Sequence, residues 1–172
     1  MRLPLLLAAT LALAGPAAAQ VIEFKPDATL ACMEKEKRPG AAFLCVGEAA
    51  RACIQKVKGA SVSDSAVCLQ SEAEYWKGRM DVAFKAMLAE AEKADAAFAK
   101  TPEAQQQKAK MTDDMAKEQA EWDRWSETRC WIEAGLRRGT PYRVTAAASC
   151  TMKQMAERAL FYENALRYMQ TK

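Results

Sequence analysis

The chain of 172 residues contains no histidine. That absence excludes histidine general bases, Ser-His and Cys-His nucleophile pairs, His-ligated haem, and the mixed Cys/His or all-His zinc sites. Glycine and proline are sparse, seven and six, which excludes collagen-like, linker-like and Pro-rich disordered chains. No C-x-x-C pair, Gly-rich phosphate loop, G-x-S-x-G elbow or calcium-binding acidic loop occurs. Ser61, Ser63 and Ser65 lie near Lys56 and Lys58, but no S-x-x-K motif joins them. Glu72, Asp81, Asp113, Asp114 and Glu118 supply carboxylates, which at this density on helices form a solvated face rather than an acid–base pair. The sequence therefore implies no enzyme, no cofactor and no metal.

What is present begins with a targeting segment. Met1-Arg2 carries one positive charge, Leu3 to Leu13 is apolar apart from Pro4 and Thr10, and Gly15-Pro16 ends the run before Ala17-Ala18-Ala19. This is the pattern of a signal peptide, residues 1–19, cleaved after Ala19. It falls short of the ~20 apolar residues that cross a bilayer, so no membrane anchor is expected. Export places the mature chain in the periplasm or outside the cell. Loss of Arg2 takes the net charge from +3 to +2, too weak for nucleic-acid binding.

The remainder, 51% hydrophobic overall, suits one all-α domain. Trp76, Met80, Ala83, Met87, Ala91, Ala94 and Phe98 recur at steps of three and four, one face of a helix over 71–98. Met111, Met115, Trp122, Trp125, Ile132 and Leu136 mark a second stripe, interrupted at Glu118 and Arg129. Ala148, Met152, Met155, Ala159, Tyr162, Leu166 and Met169 mark a third. Such stripes predict three long helices packed side by side at shallow angles. Two shorter helices, 27–37 and 41–58, precede them, separated by Arg38-Pro39-Gly40 and followed by a loop over Gly59–Asp64. The expected fold is a disulfide-stapled antiparallel bundle of three long helices with an N-terminal pair of short ones.

All six cysteines follow the leader, and an oxidising compartment makes them disulfides. Cys32 and Cys45 are symmetric about the Pro39 break, Cys53 and Cys68 about the Gly59–Asp64 loop, and Cys130 and Cys150 about Gly139-Thr140-Pro141. Residues equidistant from the turn of a helical hairpin sit at the same height, within the ~5.5–6 Å Cα separation a disulfide needs. The expected pairs are Cys32–Cys45, Cys53–Cys68 and Cys130–Cys150. Cys45 and Cys53 share one side of their helix, so an exchange of their partners is the rival set.

One loop concentrates recognition chemistry. Arg137, Arg138, Tyr142 and Arg143 cluster on the turn that the last bridge would stiffen. Arginine and tyrosine dominate binding hot spots, and a pre-stiffened loop loses less entropy on binding. Trp122 falls on the second stripe as a core residue, whereas Trp131 lies off it as the more exposed aromatic. The methionines fall on the three stripes as packing residues rather than metal ligands.

Cys68-x-x-x-Glu72-x-x-x-Trp76 runs into Met80-Asp81-Val82-Ala83-Phe84. Gln119-x-x-Trp122-x-x-Trp125 leads to Cys130, then to Ala147-Ala148-x-Cys150 and a last helix bearing Arg158. These residues resemble the LprI-type lysozyme inhibitor family, small exported helical domains rich in disulfides. The resemblance covers roughly 68–167, with Asp81, Phe84 and Ser126-Glu127 departing from the family's usual Asn, Tyr and Arg-Asp. It implies an LprI-like domain over 67–172, a Cys-rich helical hairpin extension over 20–66, and a protein partner of lysozyme-like hydrolase type. The alternative role is a structural or adaptor protein of the cell envelope. Asp113, Asp114, Glu118, Glu121 and Asp123 form an acidic surface that could complement a cationic hydrolase.

Overall fold

The computed structural model describes residues 21–38, 40–107 and 109–171. The leader assigned to 1–19 and the break residue Pro39 lie outside the described residues. Those described form five α-helices and two short 3-10 turns, with no strand among them. The helices are α1 Asp27–Lys35, α2 Glu48–Lys56, α3 Val62–Phe98, α4 Met111–Gly135 and α5 Arg143–Gln170. No helix among the described residues is long and apolar enough to cross a membrane.

The core is the α3–α5 seam, and both predicted stripes build it. Trp76, Met80, Ala83 and Met87 of α3 form one buried cluster with Met152, Ala156, Ala159 and Tyr162 of α5, and Ala91 of α3 is buried as well. Alanines at alternate turns let the backbones approach, and the aromatics fill the gaps between them. Burial of each large side chain contributes about 1.5–3 kcal/mol. Phe84 lies on Tyr162 with ring centroids 5.1 Å apart.

Helix α3 begins earlier than its apolar stripe. The Ser61 hydroxyl accepts from the Asp64 N–H, and the Asp64 carboxylate accepts from the Ser61 N–H at 2.8 Å. This reciprocal cap starts the helix at Val62, inside the segment read from sequence as loop. At 37 residues, α3 runs ~55 Å at 1.5 Å per residue. Asp95 near its far end caps α4 in trans, accepting from the Met111 N–H at 2.9 Å, the Thr112 N–H at 3.1 Å and the Thr112 hydroxyl at 2.9 Å.

Two sequence expectations are corrected. First, the helix expected over 41–58 is two pieces: a 3-10 turn, Ala41–Cys45, and α2 from Glu48. Gly47 divides them at φ +95°, a left-handed conformation that a side chain would strain. Second, α4 does not bury the stripe Trp125, Ile132 and Leu136, all of which are exposed, as is Met111. Its buried or half-buried face is Met115, Gln119, Trp122, Ser126, Cys130 and Ala134. The inward choice is set by specific bonds rather than by hydrophobicity: a disulfide at Cys130 and a polar junction at Gln119.

Three bridges join Cys32–Cys45, Cys53–Cys68 and Cys130–Cys150, with Cα separations of 5.6, 5.8 and 5.4 Å, and no cysteine is free among the described residues. These are the pairs that symmetry about the three turns predicts, not the exchanged set.

Candidate functional site

Most of the motif residues face inward. Glu72 is fully buried, and its carboxylate accepts four hydrogen bonds: from the Thr29 hydroxyl at 2.9 Å, the Gly47 N–H at 2.8 Å, the Ala50 N–H at 2.6 Å and the Trp76 indole N–H at 3.1 Å. Two of those donors are backbone groups at the start of α2, so a side chain of α3 caps α2 from outside. The left-handed Gly47 is what turns the chain so that this helix end meets the carboxylate. Thr29 completes the junction by accepting from the Ala49 N–H at 3.0 Å. On the same face, Arg79 forks onto Glu163 at 2.7 and 2.8 Å, with its guanidinium 4.7 Å from the Trp76 ring centroid.

A second polar junction ties α4 to α5. Buried Arg158 donates to Gln119 Oε1 at 3.3 Å and to Glu118, and Tyr162 donates to the same Gln119 oxygen. The guanidinium lies 4.5 Å from the Tyr162 centroid and 5.0 Å from that of Trp122. Burial pushes the Tyr162 phenol up to about 12, against the opposing charge of Arg158, so it stays a hydrogen-bond donor at all ordinary pH. Glu72, Trp76, Gln119, Trp122 and Arg158 thus hold the scaffold.

The exposed chemistry gathers where α4 turns into α5. Trp125 is 52% exposed, Trp131 61% and Leu136 81%, with Ile132 and Tyr142 also open. Trp131 matches its sequence reading; Trp125 does not, because a stripe count cannot tell an inner face from a flank. Between Thr128 and Lys153 the chain carries five cations against the single acid Glu133. None of the five, Arg129, Arg137, Arg138, Arg143 and Lys153, forms an ion pair among the described residues. By contrast, residues 111–123 hold five acids and one lysine, so α4 is negative along its first half, and the positive charge gathers past its end, at the turn into α5.

Arg143 is the first residue of α5, whose first turn contains no acid. A cation there opposes the helix dipole, at a cost of about 0.3–1 kcal/mol. Contact with the Trp131 ring, 6.0 Å from guanidinium to centroid, offsets part of it. Arg129 lies 5.4 Å from the Trp125 centroid in the same manner. Of the residues singled out on this loop, Arg137 and Tyr142 line one cleft between α4 and α5, whereas Arg138 and Arg143 lie outside its lining. The cleft holds about 510 Å³ beside the Cys130–Cys150 bridge, and Arg129 and Lys153 line it as well.

The family model described as "Lysozyme inhibitor LprI" matches residues 53–161. A Rhodobacter capsulatus protein, described as an uncharacterized 17.7 kDa protein in the puhA 5′ region, is 34% identical over 163 residues, 95% of this chain and 94% of that relative. No solved structure matches.

Proposed function

From the chain's membership of the LprI lysozyme inhibitor family, we propose that it is an exported protein-binding module that occludes a lysozyme-like cell-wall hydrolase. The observation that carries this reading is the α4–α5 end, where unpaired guanidiniums and half-open tryptophans sit on a disulfide-closed hairpin. Hydrolases of glycosidic bonds work with two carboxylates in a cleft shaped for sugar rings. Guanidiniums pair with carboxylates, and aromatic faces fill such clefts. The contact residues are Arg137, Arg138, Tyr142 and Arg143, with Trp125 and Trp131 beside them. Residues 1–19 serve as the cleaved leader and lead to the periplasm or the exterior, and the 20–66 extension buttresses the 67–172 domain through Glu72.

The test is clearing of cell-wall suspensions by several lysozymes in the presence of oxidised mature protein. Inhibition at micromolar protein is expected, weakened at least tenfold by Arg138→Ala with Tyr142→Ala at unchanged helical content. Unchanged clearing by every enzyme would remove the inhibitor reading in favour of an envelope adaptor. Inhibition insensitive to the double change would move the contact to the acidic half of α4.

A further inference from the structure

Beside the exposed tip, the cleft between α4 and α5 contains a side chain that the fold leaves unused. Gln154 is only 7% exposed, lines the cleft, and makes no hydrogen bond with any described residue. Its amide carries two donors and an acceptor, and these reach the cleft rather than being sealed in the core, so they are open to a ligand. Around it stand three cations, Arg129, Arg137 and Lys153, none of them ion-paired. The hydroxyls of Tyr142, Thr145 and Ser149 complete the polar wall, with Glu133 as the one opposing charge. Tyr142 and Thr145 also belong to the start of α5, whose dipole adds positive potential there. The volume, about 510 Å³, is that of a small-ligand site.

We propose that this cleft binds a small ligand that presents a carboxylate next to an amide. The carboxylate meets Arg137, Arg129 and Lys153, none of which has a carboxylate partner among the described residues. The amide pairs with Gln154, which offers the complementary donor and acceptor. Hydroxyls on the ligand find Tyr142, Thr145 and Ser149, and a ligand N–H or O–H finds Glu133. Two sources supply this chemistry: the C-terminus of a short peptide, and an acidic N-acyl amino sugar. The cleft shares Arg137 and Tyr142 with the hydrolase reading, but its test needs no protein partner and is read without an enzyme, so the two can fail separately.

The experiment is a titration of the oxidised mature protein, followed by backbone and side-chain amide NMR shifts. The probes are N-acetyl-alanyl-alanine, its C-terminal amide, N-acetylmuramic acid and plain acetate. The expected result is saturable shifts of the Gln154 side-chain amide and of residues 142–153 with one or both acids, and binding at least tenfold weaker with the amidated peptide and with acetate. Preference for the peptide or for the sugar acid identifies the source. Arg137→Gln and Lys153→Gln, both surface changes, should each weaken binding about tenfold. The proposal is overturned if no acid shifts these resonances at ten millimolar, or if the amidated peptide binds as well as the acid. The ligand-side comparison leaves the protein unchanged, so no folding defect can mimic either result.

Discussion

Replacing Glu72 tests the junction on which the N-terminal helices rest. In Glu72→Gln the retained Oε1 can still accept from Thr29, Gly47 and Trp76, but an NH2 group replaces the oxygen that accepts from Ala50 at 2.6 Å. One charge-assisted bond is lost and two donors face each other, which together cost about 2–3 kcal/mol. Glu72→Ala strips all four donors of their acceptor and opens a void, at about 3–5 kcal/mol. Against a typical total of about 5–15 kcal/mol, the alanine variant is expected to release α1 and α2 as a unit while α3 and α5 stay packed. The disulfides Cys32–Cys45 and Cys53–Cys68 keep that unit tethered, so it undocks without being lost. Urea unfolding followed by tryptophan fluorescence reports the junction directly, because Trp76 donates to Glu72. Amide exchange should show Ala49 to Cys53 unprotected in Glu72→Ala and Met152 to Ala159 unaffected. If Glu72→Gln unfolds at the parent's urea midpoint and α2 exchanges no faster, the outside cap contributes nothing and the reasoning fails.

Three further outcomes are expected. Arg158→Met keeps the packing over Trp122 but removes the donors to Gln119 and Glu118; because Glu118 is half exposed, the loss is about 1–3 kcal/mol, read as a lower thermal midpoint, and an unchanged midpoint would show the junction idle. Opening the last bridge by Cys130→Ser with Cys150→Ser should cost about 3 kcal/mol and accelerate amide exchange over 136–146, whereas exchange as slow as in the parent would mean that the helices alone hold the tip. The N–H groups of Met111 and Thr112 hold the Asp95 carboxyl below its ordinary value of 3.8, so its cap is fully present above that pH and lost as pH falls through the folded value. Protection of those two amides should therefore fade in acid, and Asp95→Asn should expose them at neutral pH; protection independent of both would refute the cap.

The α3 and α5 stripes were legible because each helix buries one continuous apolar face against the other. Helix α4 was not, because its inner face mixes Met115 and Trp122 with Gln119, Ser126, Cys130 and Ala134, while Trp125 and Ile132, and Leu136 just past its end, stay outside. A hydropathy count assumes that burial follows apolarity, and here a disulfide and a guanidinium decide the orientation instead. The break at Gly47 was equally hidden, since the carboxylate that its N–H meets lies 25 residues further on. The loop arginines could be picked out by composition, but their division between cleft and open tip depends on which side of the turn each side chain leaves. Gln154 gave no signal at all: a glutamine in a helix looks solvated until its neighbours are placed.

Each crosslink closes onto the next thiol in chain order, the first with the second, the third with the fourth, the fifth with the sixth. A polypeptide threaded N-terminus first into an oxidant therefore meets every correct match as the next sulfur to arrive. On the export proposed above, maturation can proceed in step with translocation, with no need for a reshuffling enzyme to sort fifteen arrangements into one.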